Sequence, residues 1–439
     1  MKYRAMRGTR DILPGETERW REAERVFSRA ASSYGCREIR VPIFEATDLF
    51  ERGIGEATDI VQKEMYTFLD RKGRSLTLRP EGTASVVRAY LEHNLGRGAN
   101  VVRLFYTGPM FRYDRPGAGR YRQFHQVGVE FLGSPAPEAD VETLEILIGF
   151  LRGVGLRRLE TRINSLGCGE CRPGYRTHLG EALKGMRSSL CEDCLSRVER
   201  NPLRVLDCKQ EGCRALFGGL PVMVEHLCAA CRAHMDRVEE ILKQIGIAYV
   251  VDPLLVRGLD YYTRTTYEVH HAGLGSQSAL GGGGRYDGLV EQMGGPPTPA
   301  VGFSAGLERV LLSLEEEGVS LAPPRGPDVF LAAADDAGVR ESLRLAHDLR
   351  PDLEVERDYQ RRNLKSQLKS ASDRGARFVV ILGEREVAQR TAAVKDMGAG
   401  TQVEVPLDGL REWLTERASG GSGAKPRCGP GGDPGQAGS

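Results

Sequence analysis

Between Gly108 and Glu130 the chain reads GPMFRYDRPGAGRYRQFHQVGVE, in which two alternating apolar runs, Pro109 to Tyr113 and Tyr121 to Phe131, flank the loop DRPGAGR. Period-two runs on either side of a Gly- and Pro-rich loop fold back on one another, so the segment predicts a long antiparallel hairpin. A further apolar run, Val101 to Tyr106, precedes it. Four arginines, Arg112, Arg115, Arg120 and Arg122, crowd the loop end. Guanidinium forks suit phosphate oxygens, yet the arginines alone fit a solvated charged strand pair equally well.

The elements around the hairpin follow from periodicity. Thr17 to Tyr34 carries Trp20, Ala23, Phe27, Ala30 and Tyr34 on one side, an amphipathic helix stopped by Gly35. REIRVPIFE reads as a strand whose Pro42 suits a sheet edge, a bulge or a subunit contact. Helices are expected at Glu138 to Leu151, Met235 to Ile245 and Val301 to Leu314, and strands at Tyr249 to Val251 and Tyr261 to Val269. Ala279 to Asp287 reads as a glycine-rich turn, and its Gly281 to Gly284 run is not a P-loop pattern.

The prolines of LAPPRGPD, Leu321 to Asp328, mark a linker. Beyond it Asp328 to Ala334, Glu354 to Arg357 and Phe378 to Leu382 alternate with helical stretches, the pattern of a small α/β unit with a mainly parallel sheet. The expected layout is a domain over 1–320 with an insertion at about 165–235, a linker at 321–327, a second domain at 328–417, and a disordered tail at 418–439.

Lys plus Arg number 61 against 60 Asp plus Glu, so contact with a polyanion must come from local basic clusters. The charged, Gly- and Pro-broken start and the lack of an apolar run of ~18 residues argue for a soluble cytoplasmic protein with no membrane partner. Ten cysteines without an export signal suggest metal ligation or inert packing. Cys168 and Cys171, then after nineteen intervening residues Cys191 and Cys194, give paired C-x-x-C spacing for a tetrahedral structural Zn²⁺. Cys208 and Cys213 with Cys228 and Cys231 form a second, looser set, while Cys36 and Cys428 read as free thiols.

FRYDRPGAGRYRQFHQVGVE resembles the second signature motif of class II aminoacyl-tRNA synthetases, in the form used by bacterial-type histidyl-tRNA synthetases. In the same order come RGTRDILP at Arg7 to Pro14, a first motif around Pro42, LRPEGTA at Leu78 to Ala84, VRGLDYYTRTTYEV at Val256 to Val269, GGGGRYDGL at Gly281 to Leu289 and the third motif, GFSAGLERVL, at Gly302 to Leu311. The resemblance spans residues 1 to 417. It implies an α+β catalytic domain on an antiparallel sheet with flanking helices, the class II synthetase fold, carrying a Cys-rich insertion and followed by a C-terminal α/β anticodon-binding domain.

It also implies a function: activation of L-histidine with ATP and Mg²⁺ to histidyl-adenylate and pyrophosphate, then transfer to the 3′ end of tRNA(His). Arg112, Arg257 and Arg309 take the catalytic positions, with Arg112, Arg120, Phe124 and Arg309 on ATP. Histidine falls to Glu81, Thr83, Arg112, Gln126, Glu130, Arg257, Tyr261 and Tyr262, and Arg285 and Tyr286 are expected next to its pocket. The first motif implies a homodimer.

DYQRRNLKSQLKSASDRGAR, Asp358 to Arg377, sets Lys365 and Lys369 one turn apart in the segment that resembles the anticodon-binding domain. One departure stands in the hairpin loop: many relatives have Gln after the Arg-Pro pair, where this chain has Gly117. Reading of the tRNA acceptor end then passes to backbone groups, Arg115 or Arg120. The main rival is a catalytically silent paralogue that regulates ATP phosphoribosyltransferase. Such paralogues lose active-site motifs and the C-terminal domain, both present here.

Overall fold

The hairpin becomes the centre of an eight-stranded sheet in a computed structural model that describes residues 3–55, 58–98, 101–273, 278–321 and 326–419. The chain divides into two units, residues 1–323 and 324–439. In chain order the first unit has strands β1 (Arg37–Glu38), β2 (Phe44–Ala46), β3 (Tyr66–Leu69), β4 (Ser75–Leu78), β5 (Val102–Phe111), β6 (Gln123–Leu132), β7 (Leu159–Ser165), β8 (Val250–Val251), β9 (Thr263–His271), β10 (Ala279–Arg285) and β11 (Ala300–Gly306). Its helices are α1 (Thr17–Ser33), α2 (Thr47–Ile54), α3 (Thr83–Glu92), α4 (Pro137–Gly153), α5 (Arg172–Lys184), α6 (Glu192–Arg200), α7 (Glu211–Arg214), α8 (Ala229–Gln244), α9 (Leu289–Gln292) and α10 (Leu307–Glu316). The large sheet runs β1-β5-β6-β11-β10-β9-β7-β8, antiparallel except where β1 meets β5 and β7 meets β8.

β5 and β6 pair from Val102 opposite Leu132 to Phe111 opposite Gln123. Pro109 sits inside β5 opposite His125, yet its carbonyl accepts from Arg79 Nε while the His125 N–H donates to Glu308. That pair exchanges no ladder bonds, so the missing proline donor is not needed there. α1 lays Trp20, Ala23, Phe27 and Ala31 on the sheet, and Phe27 meets Phe105, Phe150 and Phe303 edge-on at 5.9, 5.4 and 6.4 Å.

Three expectations are corrected. The strand REIRVPIFE is split: Arg37–Glu38 joins the large sheet and Phe44–Ala46 a separate three-stranded one, with the Val41 and Pro42 carbonyls between them accepting from Arg79 Nη1. The glycine-rich turn is instead the strand β10, between β9 and β11. A Cβ on Gly283 would fall 2.0 Å from the Gly302 carbonyl oxygen, so crowding between strands, not turning, demands glycine. The helix expected over Val301 to Leu314 starts only at Leu307. Residues 300–306 form β11, where burial on both faces removes the alternation that would have betrayed a strand.

The insertion has its own core of Tyr175, Leu179, Leu183, Val198, Val205, Phe217 and Met223. The second unit holds β12 (Val329–Ala333), β13 (Val355–Arg357), β14 (Phe378–Leu382), β15 (Thr391–Asp396) and β16 (Gln402–Pro406), with helices α11 (Asp336–Leu349), α12 (Leu364–Asp373), α13 (Glu384–Ala388) and α14 (Leu410–Ser419). Its sheet runs β13-β12-β14-β15-β16, parallel through β14 and antiparallel beyond it. The caps expected of polar residues close α11 and α12: Asp335 accepts from Gly338 N at 2.8 Å and Asn363 from Ser366 N at 2.9 Å. Residues 420–439, including Cys428 and most of the tail expected to be disordered, and residues 322–325 of the linker lie outside the described residues. Among the described residues no helix is long and apolar enough to cross a membrane.

Candidate active site

A cleft of about 300 Å³ opens over the sheet, floored by β10 and β11 and walled by β6, α3 and the segment before β9. It brings together Glu81, Thr83, Arg112, Arg120, Phe124, Gln126, Arg257, Tyr261, Tyr262 and Arg309, residues drawn from four separate sequence motifs. Sheet and helix anchoring fixes each side chain's origin, which suits a site that must hold two anions in register.

One part of the cleft is cationic. Arg112, just beyond β5, donates Nε to the Pro80 carbonyl at 2.8 Å, and its guanidinium carbon lies 5.4 Å from the Phe124 ring centroid. Arg309, in the first turn of α10, donates Nη1 to the Ala279 carbonyl at 2.9 Å. Burial, with Arg120 and Arg112 close by, holds the Arg309 guanidinium below the ordinary arginine pKa. A cation destabilised by burial and by other cations favours an anion between them. Arg120 is itself ion-paired with Asp114, and Gly117 and Arg120 close the hairpin loop through reciprocal 3.0 Å backbone bonds. Arg122 does not face the cleft: its N–H donates to the Gly8 carbonyl at 2.7 Å and its guanidinium stacks 3.9 Å from the Tyr113 centroid, which gives RGTRDILP a role in bracing the loop. Arg115 is exposed.

Elsewhere in the cleft the lining turns acidic and aromatic. Glu81 accepts from the backbone N–H groups of Thr83 and Ala84 at 2.7 and 2.8 Å, capping α3, and burial pushes its carboxyl up. Gln126 Oε1 is buried and has no hydrogen-bond partner among the described residues, an acceptor left for a bound donor. Arg257 is ion-paired with Glu268 and lies with its guanidinium carbon 5.6 Å from the Tyr262 centroid. Burial opposes its charge, but Tyr262 and Glu268 outweigh that and raise its pKa.

Glu130 stands behind this lining rather than in it. It accepts from Thr83 Oγ1 at 2.7 Å and Tyr286 Oη at 2.5 Å, and burial pushes its carboxyl up to about 8 against those bonds. Gly302 on β11 makes room for it, since a Cβ there would fall 1.8 Å from Glu130 Oε2. Arg285, expected beside the pocket, instead lies fully buried, tied to Asp140, Asp287 and the carbonyls of Ser134 and Ala136. Tyr286 reaches the site through Glu130 and edge-on against Tyr261, with 5.6 Å between ring centroids. Sequence reasoning missed the Glu308 carboxylate, which lines the cleft and accepts from His125 N at 2.9 and 3.0 Å, and missed Asp207, which enters it from the insertion. Pairs 183 residues apart leave no signal in local spacing.

The cysteines also differ from the order read along the chain. Cys168 and Cys171 do not group with Cys191 and Cys194, nor Cys208 and Cys213 with Cys228 and Cys231. One cluster is Cys168, Cys171, Cys228 and Cys231; the other is Cys191, Cys194, Cys208 and Cys213. An insertion must leave and re-enter the sheet at neighbouring points, so its outer pairs meet at the base and its inner pairs meet within. Cys36 is buried and free, and burial pushes its thiol up to about 12.

An antiparallel sheet whose hairpin arginine faces the arginine of a following strand-helix unit across one cleft defines a class II aminoacyl-tRNA synthetase fold. The family model for histidyl-tRNA synthetase matches residues 8–167 and 206–310, and that for an anticodon binding domain matches 328–417. Histidine–tRNA ligases of Pelotomaculum thermopropionicum and Desulforamulus reducens are 51% and 52% identical to this chain, each over 94% of it and 98% of theirs. The apo histidyl-tRNA synthetase of S. aureus superposes with a TM-score of 0.81 at 37% identity, covering 94% of this chain and all of that one. The chain belongs to the histidyl-tRNA synthetase family.

Proposed function

We propose that the protein is a histidine–tRNA ligase: the histidine carboxylate attacks the α-phosphorus of ATP, pyrophosphate leaves, and a ribose hydroxyl at the 3′ end of tRNA(His) then takes the histidyl group and releases AMP. The observation that carries this is one cleft joining the clustered cations Arg112, Arg120 and Arg309 to a carboxylate-backed aromatic pocket. Negative charge builds up where carboxylate and α-phosphate meet, and preorganised guanidinium groups stabilise it without reorganising.

In this reading Arg112 and Arg257 bridge the α-phosphate and the carboxylate, Arg309 and Arg120 hold the outer phosphates, and Phe124 stacks on adenine. Glu81, Thr83 and the orphan Gln126 Oε1 receive the ammonium. Tyr261 and Tyr262 receive the imidazole, and Glu130 backs that pocket through its bonds from Thr83 and Tyr286. Mg²⁺ accompanies the triphosphate; Asp114 and Glu308 are carboxylates lining the same cleft. The cysteine clusters are taken as structural metal sites, and the exposed Arg115 as a contact to the tRNA acceptor end in place of the glutamine missing at Gly117. Exposed Ile43, Phe44, Phe68 and Leu69 on and beside the three-stranded sheet favour a homodimer through the Pro42 region, which sedimentation would detect as twice the chain mass. A cytoplasmic location fits this function.

The regulatory-paralogue alternative is disfavoured by the intact arginine set and by the matched anticodon-binding domain. Exchange of labelled pyrophosphate into ATP, run with each of the twenty amino acids in turn, tests the proposal. Exchange with histidine alone is expected, and exchange with another amino acid or with none would refute it.

A further inference from the structure

The segment that joins the two halves of the inner cysteine cluster carries most of the insertion's polar contacts to the cleft. Between Cys194 and Cys208, Arg197 donates to Asp59 Oδ2 at 2.8 Å, Asn201 Nδ2 to Asp260 Oδ1 at 3.0 Å, and the buried Arg204 to the Arg257 carbonyl at 3.1 Å and to Asp59 at 3.4 Å. Asp207, the last residue before the second cysteine pair, lines the cleft itself. These contacts fall on the two segments flanking the histidine end, one leading to Ile60 and the other running from Arg257 to Asp260. The segment is the last part of α6, residues 195–200, followed after Asn201 by a 3₁₀ turn, Pro202–Asp207, and it is tied at both ends to the inner cysteines.

The sulfur geometry says what closes that loop. Cys191 and Cys208 Sγ lie 3.8 Å apart in the inner cluster, and in the outer one the Cys168–Cys171, Cys168–Cys228 and Cys171–Cys231 separations are each 3.8 Å. Within each cluster all four sulfurs lie within 4.8 Å of one another. A disulfide needs ~2.05 Å. Four thiolates each ~2.3 Å from a tetrahedral Zn²⁺ lie ~3.8 Å from one another. α5, α6 and α8 each begin on the residue after Cys171, Cys191 and Cys228, so helix N-termini face the thiolates. The Cys168 N–H donates to Cys171 Sγ at 3.2 Å and the Cys191 N–H to Cys213 Sγ at 3.3 Å, the bonds expected around metal-bound thiolates. The family match leaves out residues 168–205, which hold four of these cysteines.

We propose that the insertion binds two Zn²⁺ ions in nested four-cysteine sites, and that the inner ion, by closing the loop 195–207, holds Arg204 against the Arg257 carbonyl and thereby positions the histidine end of the cleft. Arg204 is a positioning residue: it touches Arg257 and Asp59, not substrate. The outer ion clamps the base of the insertion, where the chain leaves β7 and enters α8. The coupling to histidine rests on the proposed ligase reading; the metal count does not.

Elemental analysis of the purified full-length chain, together with pyrophosphate-exchange kinetics, tests it. Two zinc per chain are expected in the unaltered protein and one in the Cys191→Ser, Cys208→Ser double variant, which is expected to raise the KM for histidine while leaving that for ATP nearly unchanged. Arg204→Met removes the contact without touching a cysteine. It is expected to keep both zinc ions while raising the histidine KM about tenfold, as a small misplacement of a substrate-positioning group does, and Arg204→Lys is expected to recover part of the loss. Fewer than two zinc, or iron in its place, overturns the metal assignment. Arg204→Met with two zinc and an unchanged histidine KM overturns the coupling, and it decides that point even if the cysteine variant fails to fold. Absence of exchange in the unaltered protein would instead refute the ligase reading while leaving the zinc count to stand or fall by itself.

Discussion

Single side chains divide the cleft into groups that bind charge and groups that are hidden to shape it. Arg112 and Arg309 are held by one backbone carbonyl each, so truncation to Ala removes a guanidinium from the cleft without unfolding its element. Either variant is expected to lower kcat for pyrophosphate exchange by roughly 10²–10³, the loss typical of one transition-state donor, with a smaller change in the KM for ATP. Glu130 makes a different prediction. Its ordinary value of 4.5 is raised to about 8 by burial, so between those values the folded protein holds a proton that the unfolded chain has released. Its contribution to stability is full below pH 4.5 and is lost as pH rises towards 8, at up to about 1.4 kcal/mol per pH unit. Differential scanning from pH 5 to 8 is therefore expected to show a steeper fall in the midpoint for the unaltered protein than for Glu130→Gln; parallel curves would contradict it. The motifs made ten lining residues legible. They did not reveal that Glu130 is backed by Tyr286, that Arg285 is a buried brace for Asp140, or that Glu308 meets His125, because these are contacts between distant segments.

At the level of elements, β10 shows how sequence pattern and packing part company. Its glycine run carries no apolar alternation, and only the neighbouring strands explain it. Gly283→Ala would drive a methyl into the Gly302 carbonyl and Phe303. It is expected to destabilise the first unit by at least the ~1–3 kcal/mol typical of overpacking, read as a lower thermal midpoint, whereas Gly212→Ala, with open space at its Cβ position, is expected to leave the midpoint unchanged. The hairpin, α1 and α4 were legible because their pattern runs over many residues, and the parallel strands of the second unit because short apolar runs alternate with helical stretches. β11 and the β15–β16 hairpin were not: one is buried on both faces, and the other is short and half-exposed. The cysteine pairing failed for a topological reason, since spacing along the chain cannot tell sequential from nested closure.

Across the whole molecule, the proposed function assigns adenylate formation to residues of the first unit and anticodon contact to the second, whose residues 328–417 match the anticodon binding domain. Lys365 and Lys369 are both exposed on α12. Changing both to Glu is expected to cut the kcat/KM for tRNA charging about tenfold and flatten its salt dependence, with pyrophosphate exchange unaltered; equal losses in both assays would place these lysines elsewhere in the function. The most direct test of the central claim is acylation of unfractionated tRNA by the purified protein with ATP, Mg²⁺ and labelled histidine. Label is expected on tRNA(His) alone, at about one histidine per acceptor, and none when Arg257 is replaced by Ala. Label on other tRNAs, or a protein that forms the adenylate but charges nothing, would contradict it.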